Sequence, residues 1–564
     1  MQVESVSIAD IQGEGYFSPL SEQPVVTRGV VIAHSRRGFF IQDPAGKPNA
    51  ATSCGLFALS RKKRPAIGSF CEVSGLVIDY LPSEFDRPVT ELKVAEVTVL
   101  SLETVPIEPV WLTAASMPND AGDLANWLNG LEGMCVGVKA GATFIAPSNP
   151  FADYVLVPND AAADLVRSEQ GGVLIDAAQP DRWFPGFRLV DYEDAFTVDV
   201  GAVLREPVIG ALNYRSAAWQ MAVNCAVKVE PAPTFEPNQT NLEASLLAAK
   251  GEGITVMTLN ALNLDIKVED ADKVIDPRRD IDDDVGEGRF LRLARAIVRQ
   301  ARNPDIVALQ EIQDNDGAEL SDVVDASLTY KALIADVLLL GGPQYRWLDI
   351  APQVGADGGQ PGGNIRNGFL YNPQRVSVLD GTVRLLAADS AASEDSRKQL
   401  TATFYLTQKP DYQLTIINVH LASKRHQRGV FSPNKPGFDP KEPTRIEQAK
   451  LIRDVLAALD GLGRDYFVTG DFNDNEFSAT IKTLLGDGSV NLVEQLPPNQ
   501  RFDYNHRGKL QALMHGIVAA AQLQQRRADY EILHGNELLG VKPGDGGGKA
   551  SDHAYTIARL RAPE

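Results

Sequence analysis

Residues 229–241 read VEPAPTFEPNQTN, and this Pro-rich, polar stretch divides the chain into two unlike textures. Ahead of it the sequence is strand and turn. Behind it, strands alternate with amphipathic helices. Proline fixes φ and removes a backbone donor, so a run of this kind interrupts regular structure and marks a linker. At 564 residues the chain exceeds what one core fills, and two to four domains are expected. The expected division is 1–104, 105–230, a linker over 231–250, and 251–564.

Within 1–104, VVTRGVVIA, GFFIQDP, CGLFAL, GSFCEVSGLVID and TELKVAEVTVL are separated by Gly, Pro and Ser. Several short strands at even spacing predict a small barrel. Arg61, Lys62, Lys63 and Arg64 form one basic loop. With Arg36, Arg37, Phe39 and Phe40 they offer a nucleic-acid face of cations and rings. A solvated loop beside core aromatics explains the same residues. Residues 105–230 are again rich in strands and turns (GMCVGVKA, DYVLVPN, FTVDVGAVL), and no chemistry is legible there.

Charge narrows the function classes. Lys+Arg is 54 against Asp+Glu 74, a net −20. Non-specific duplex binding needs cationic phosphate contacts, so this balance weighs against it, short of a local basic face or a metal that screens the carboxylates. No window approaches the ~20 apolar residues of a membrane helix. The chain starts QVESVSIAD after Met1, without a basic-then-apolar leader; a leader already removed fits equally. Of the four cysteines, Cys54 and Cys71 fall in one expected domain, Cys135 and Cys225 in the next. Two intradomain disulfides and four buried thiols both satisfy that grouping.

In the second half, GRFLRLARAIVRQAR places Phe290, Leu293, Ala294, Ile297 and Val298 on one helical face. TRIEQAKLIRDVLAALDG opens with a capping-box pattern at Thr444 and Glu447 and ends at Gly461. Strands ITVMTLN, DIVALQE, TIINVHL, DYFVTGD and AYTIARL alternate with such helices, which predicts an α/β domain. The acidic run DIDDDVGEG (280–288) lacks the alternating oxygens of a calcium loop and is expected to be solvated.

Polar residues gather at the strand ends. Asn260 closes the first of these strands, Gln310 and Glu311 the second. Asn418 and His420 lie two apart and so share a face. Asp471 and Asn473 follow another strand, and Ser551, Asp552 and His553 precede the last. In open α/β sheets that rim binds ligands. Hard oxygen ligands favour Mg²⁺, Mn²⁺ or Ca²⁺ over zinc. Two histidines can serve as acid and base. No serine or cysteine sits beside a base, so metal-activated water attacking a phosphodiester suits the set best.

TLNALN, IVALQEI, IRNGFLYNP, INVHLASK, VTGDFND and SDHAYTIARL, in this order, resemble the endonuclease/exonuclease/phosphatase superfamily over about residues 250–560. The strand-rich part, opening VSIADIQGEGYFSPL, resembles the N-terminal OB-like part of bacterial extracellular nucleases. The resemblance implies all-β OB-like barrels followed by an α/β sandwich, in a secreted or periplasmic nuclease that hydrolyses DNA, with RNA as a second substrate. It implies that Glu311 and Asp552 hold the cation with Asn260 alongside. Asp471 and Asn473 orient water and phosphate, His553 acts as base or phosphate stabiliser, and His420 as acid. Arg366 and Asn418 are expected at the substrate. Two other readings remain: a phosphatase or lipid phosphodiesterase of the same superfamily, and a nucleic-acid-binding protein without turnover.

One position departs from the family frame. The frame runs Tyr-x-Tyr, Gly, then Leu-Asp-His; here it is Phe502-Asp503-Tyr504, Gly508, Leu513-Met514-His515. The resemblance gives the missing aspartate the task of holding the catalytic histidine, here His553. A thioether is a weak, uncharged acceptor. The expectation is therefore a loosely held His553 of lowered pKa, and reduced activity. Asp503 is a conceivable substitute, but nothing in the sequence assigns it.

Overall fold

The computed structural model describes every residue except 1–4, 48–50, 61–63, 82–85, 178–181, 191–193, 233–243, 248–252, 434, 544–548 and 564. Most of the expected linker and three of the four residues of the basic loop, Arg61 to Lys63, lie outside the described residues. The chain divides into two compact units. One comprises Met1–Phe235, His426–Asp439 and Gly540–Gly544; the other Glu236–Arg425, Pro440–Leu539 and Asp545–Glu564.

In the first unit the five expected strands form as Pro24–Ser35, Gly38–Gln42, Gly55–Leu59, Phe70–Tyr80 and Val89–Ser101. They close into a barrel in the order first, second, third, fifth, fourth. Alternation explains the closure: Val73 and Val77 on the fourth strand, with Cys71, turn inward to meet Phe39, Ile41 and Leu56. Phe39 and Phe40 are buried, and Arg37 pairs with Glu91 at 2.9 Å. These rings are core, so the base-stacking face is corrected to the packing alternative. Residues 110–230 form one nine-stranded sheet instead of a second closed barrel. Several of its strands are only two residues long, such as Thr143–Phe144 and Val203–Leu204. All four cysteines are free thiols; three are buried, but Cys225 is exposed.

The second unit pairs a six-stranded with a seven-stranded sheet. Gly253–Leu264 and Ile306–Ile312 are central in the first sheet; Lys409–His420 and Asp465–Asp471 are central in the second. Both faces of these strands are covered, which is why they read as unbroken apolar runs. Ile254, Val256, Ile306 and Ala308 meet Leu414, Ile416 and Phe467 between the sheets. On the other face, Met257, Leu259, Val307 and Leu309 pack with Phe290, Leu293, Ala294, Ile297 and Val298. The helix carrying those five residues runs Arg289–Arg295 and widens into a π turn over Ala296–Gln300. The later helix spans Glu442–Gly461. It starts two residues before Thr444, with Pro443 in its first turn, and no side chain caps it. Proline's preset φ starts the helix, so the expected capping box is not used. In the acidic run, Asp284 is buried against Arg289 rather than solvated.

The face between the sheets changes character along its length. Apolar at one end, it becomes polar at Thr258, hydrogen-bonded to Thr469 at 2.5 Å, and at Gln310, whose amide donates to Asn418 Oδ1 at 2.6 Å. One step further along the same strands stand Asn260, His420 and Asp471.

Candidate metal and phosphodiester site

Strand register aligns the site. His420 is paired with Asp471 across parallel strands, and Asp471 with Met514 across the next, antiparallel pair. Adjacent strands lie ~4.8 Å apart, so side chains at paired positions stand side by side. Glu311 arrives from the facing sheet at an irregularity in strand pairing between Leu309 and Ile312. Its φ of 57° lies in the left-handed region, as does the 52° of Asn473. For residues other than glycine that conformation costs roughly 1–3 kcal/mol and marks places where the surroundings hold a side chain in a set direction.

The functional atoms converge. His420 Nε2 lies 3.7 Å from Glu311 Oε1 and 3.6 Å from Asp471 Oδ2. His553 Nε2 lies 3.7 Å from the same Asp471 oxygen and 3.9 Å from Asp552 Oδ1. One ligand atom each from Glu311, His420 and Asp471 falls within a 4.8 Å group. Asp552 Oδ1 is buried and finds no hydrogen-bond partner among the described residues. Clustered carboxylate oxygens, one of them orphaned, fit a hard divalent cation. Asn260 Nδ2 donates to Glu311 Oε1 at 3.2 Å, while its Oδ1 accepts from Leu262 N at 2.8 Å. Its amide therefore steadies a candidate ligand. Asn473 N donates to Asp471 Oδ1 at 2.8 Å, fixing that carboxylate's rotation.

The electrostatics separate the two imidazoles. Burial first, then Arg397 and His553, drive His420 well below its ordinary value, so this ring is neutral at pH 7. Neutral imidazole suits a ligand or proton acceptor better than the expected acid. Burial also works against charge on His553. There Asp552, the hydrogen bond to Asp503 and Asp471 prevail, pushing the ring up to about 10. The expectation of a lowered pKa is thus reversed, because three carboxylates surround the ring. Glu311 is raised to about 7 by burial and then by Asp552, against Asn260 and Arg397. Asp471 is raised chiefly by burial.

Seven residues picked out from sequence come together here: Asn260, Glu311, His420, Asp471, Asn473, Asp552 and His553. Two do not join them. The Arg366 guanidinium is buried and donates to the Asn364 and Val324 carbonyls and to Asp349. Asn418 is spent tying the sheets: besides accepting from Gln310 it donates to Leu309 O and Gly368 O, both at 2.9 Å. Two further residues received no role from the sequence. Arg397 is buried beside Glu311 and Asp471 and donates to Leu421 O at 3.0 Å. Tyr504 stacks on His553, ring centroids 4.7 Å apart. A second carboxylate group, Asp265, Glu269 and Asp282, also gathers ligand atoms within 4.8 Å. Burial, then Glu269, pushes Asp265 up to about 9, and Asp265 and Glu269 accept from the backbone N–H groups of Lys267, Ala318 and Asp282.

Comparison with known proteins bears on this half of the chain. The Endonuclease/Exonuclease/phosphatase family matches residues 257–546. No curated protein matches. Solved structures similar to the chain include humanized D. rerio TDP2, at 16% identity and a TM-score of 0.36, covering 55% of this chain and 100% of that one. An endonuclease/exonuclease/phosphatase from Bacteroides vulgatus shows 15% identity and a TM-score of 0.34, covering 56% of this chain and 100% of that one. The human Nocturnin catalytic domain shows 15% and 0.34, covering 54% and 93%.

Proposed function

Because the chain belongs to the Endonuclease/Exonuclease/phosphatase family, whose members are metal-dependent phosphodiesterases and nucleases, we propose that it hydrolyses phosphodiester bonds in nucleic acid, DNA first among them. The observation that carries this reading is the convergence of Glu311, His420 and Asp471 within 4.8 Å, with His553 directly beyond. Glu311, Asp471 and Asp552, with His420 as the nitrogen donor, would hold a Mg²⁺ or Mn²⁺ ion. Bound there, the ion would neutralise phosphate charge and acidify a water.

The chain's own groups supply the rest. Asp471, raised by burial and oriented by Asn473, accepts the proton of the attacking water. The His553 imidazolium faces the phosphate and stabilises negative charge gathering on it in the transition state. Arg397 offsets the carboxylates behind the site. The water oxygen bonds to phosphorus, the P–O bond to the leaving sugar oxygen breaks, and that oxygen takes up a proton. The strand order of the N-terminal barrel supports an OB-like reading of that domain. Secretion belongs to this reading and rests on the N-terminal resemblance alone.

A smaller phosphate ester or a lipid headgroup is the second reading, favoured by the net charge of −20. A substrate panel separates the two. Supercoiled plasmid, single-stranded DNA, RNA, a phosphomonoester and a phosphoinositide are each incubated with Mg²⁺, Mn²⁺ or Ca²⁺. Cleavage of the polymers, abolished by EDTA, is expected. Hydrolysis confined to the monoester or the phosphoinositide would transfer the assignment to the second reading.

A further inference from the structure

Position 514 faces the site but carries no group able to act there. Val518, on the same strand, packs between the sheets, and a side chain at Gly516 would meet the Tyr530 and Phe467 rings there. Alternation puts Met514 on that same face, beside Asp471 and two strands from His420. A buried thioether in this place neither takes a proton nor answers a positive charge.

The carboxylate comes from elsewhere. Asp503 is 0% exposed. Its Oδ1 accepts from His553 Nδ1 at 2.8 Å. Its Oδ2 accepts from the backbone N–H groups of Leu513 and Met514 at 2.7 and 2.9 Å. The acid is thus clamped by the backbone of the residue whose side chain cannot do the work. The next turn is held as well: Ala554 N donates to Asp503 O at 2.7 Å, and Tyr504 stacks on the same imidazole. With Nδ1 engaged, Nε2 is the atom turned to Asp471 and Asp552.

We propose that Asp503 is the positioning residue for His553, and that it supplies the orienting carboxylate of this site beside the apolar Met514 side chain. The inference rests on the proposed hydrolase reading for its kinetic arm only. The same arrangement sets the sign expected for Met514→Asp. A carboxylate at 514 would be buried next to Asp471 and Asp503, and like charges so placed disfavour one another.

The test uses the full chain, its metal and a plasmid or small diester. Asp503→Asn is expected to lower kcat by ~10²–10⁴ with little change in KM, the upper end being the ~10⁴ seen when the triad carboxylate of a serine protease is neutralised. Met514→Asp alone is expected to lower kcat. Added to Asp503→Asn, the same substitution is expected to recover at least about tenfold. A purely structural role for Asp503 predicts no such recovery. An Asp503→Asn chain within threefold of native kcat, or a Met514→Asp effect equal in both backgrounds, would overturn the proposal. A measurement on the unaltered chain guards against misfolded variants and against failure of the hydrolase reading. The His553 Nδ1 proton should give a downfield, exchange-protected NMR signal without any substrate, identified by its loss in His553→Gln. Absence of that signal in the native chain overturns the pairing.

Discussion

Glu311 is held on left-handed backbone, accepts a hydrogen bond from Asn260, and has its negative charge opposed by burial and Asp552. Such a group pays for itself only when a cation arrives. Its pKa is raised from 4.5 to about 7, so the folded, metal-free chain binds more protons than the unfolded one in between. At this group stability is present below pH 4.5 and declines as pH rises to about 7. Glu311→Gln should therefore flatten that decline in metal-free thermal melts while weakening Mn²⁺ binding about tenfold or more by calorimetry. Unchanged Mn²⁺ affinity would remove Glu311 from the ligand set. At this scale the sequence was informative where a residue type and a strand end coincided, as at Glu311, Asp471 and His553. It offered Asp503 as a substitute without assigning it, because that contact joins positions 50 residues apart. Arg397 gave no signal: beside Lys398 in SEDSRKQL it looks like any surface arginine until the fold buries it.

Strands place these residues, and cross-sheet polar pairs place the strands. Thr258 with Thr469 and Gln310 with Asn418 sit where the apolar filling between the sheets ends. A residue assigned to substrate from its neighbour two positions on thus proves to be a tie between layers. Asn418→Ala would leave the Gln310 amide and two carbonyls without their partner in a buried place. The expected loss is about 3 kcal/mol of unfolding free energy, read from denaturant midpoints; a loss below about 0.5 kcal/mol would deny it that role. The five barrel strands were legible because turn residues bracket each one. The two-residue strands of the nine-stranded sheet were not, since so short a strand leaves no periodicity to read. The long helix was legible in its end at Gly461 but not in its start, where Pro443 prevailed over a plausible cap.

Across the whole molecule, an acidic chain of net −20 is proposed to act on a polyanion. The carboxylates account for part of that paradox: Glu311, Asp471 and Asp552 lie together where a divalent cation would offset them, with the Arg397 and His553 cations beside them. On the proposed function, metal becomes the condition for substrate approach as well as for chemistry. The two compact units divide the described chain differently from a simple cut in sequence, since His426–Asp439 belongs with the N-terminal unit although the strand ending at His420 does not. No linear reading of composition could show such an exchange. The most direct measurement is nicking of supercoiled plasmid by the native chain and by Glu311→Gln, each titrated with Mn²⁺ from a chelated start. Expected are no nicking without metal, a rate that rises with Mn²⁺ in the native chain, and a loss of about a thousandfold in the variant at saturating metal. Equal rates for the two chains, or cutting that persists under chelation, would contradict the proposed function.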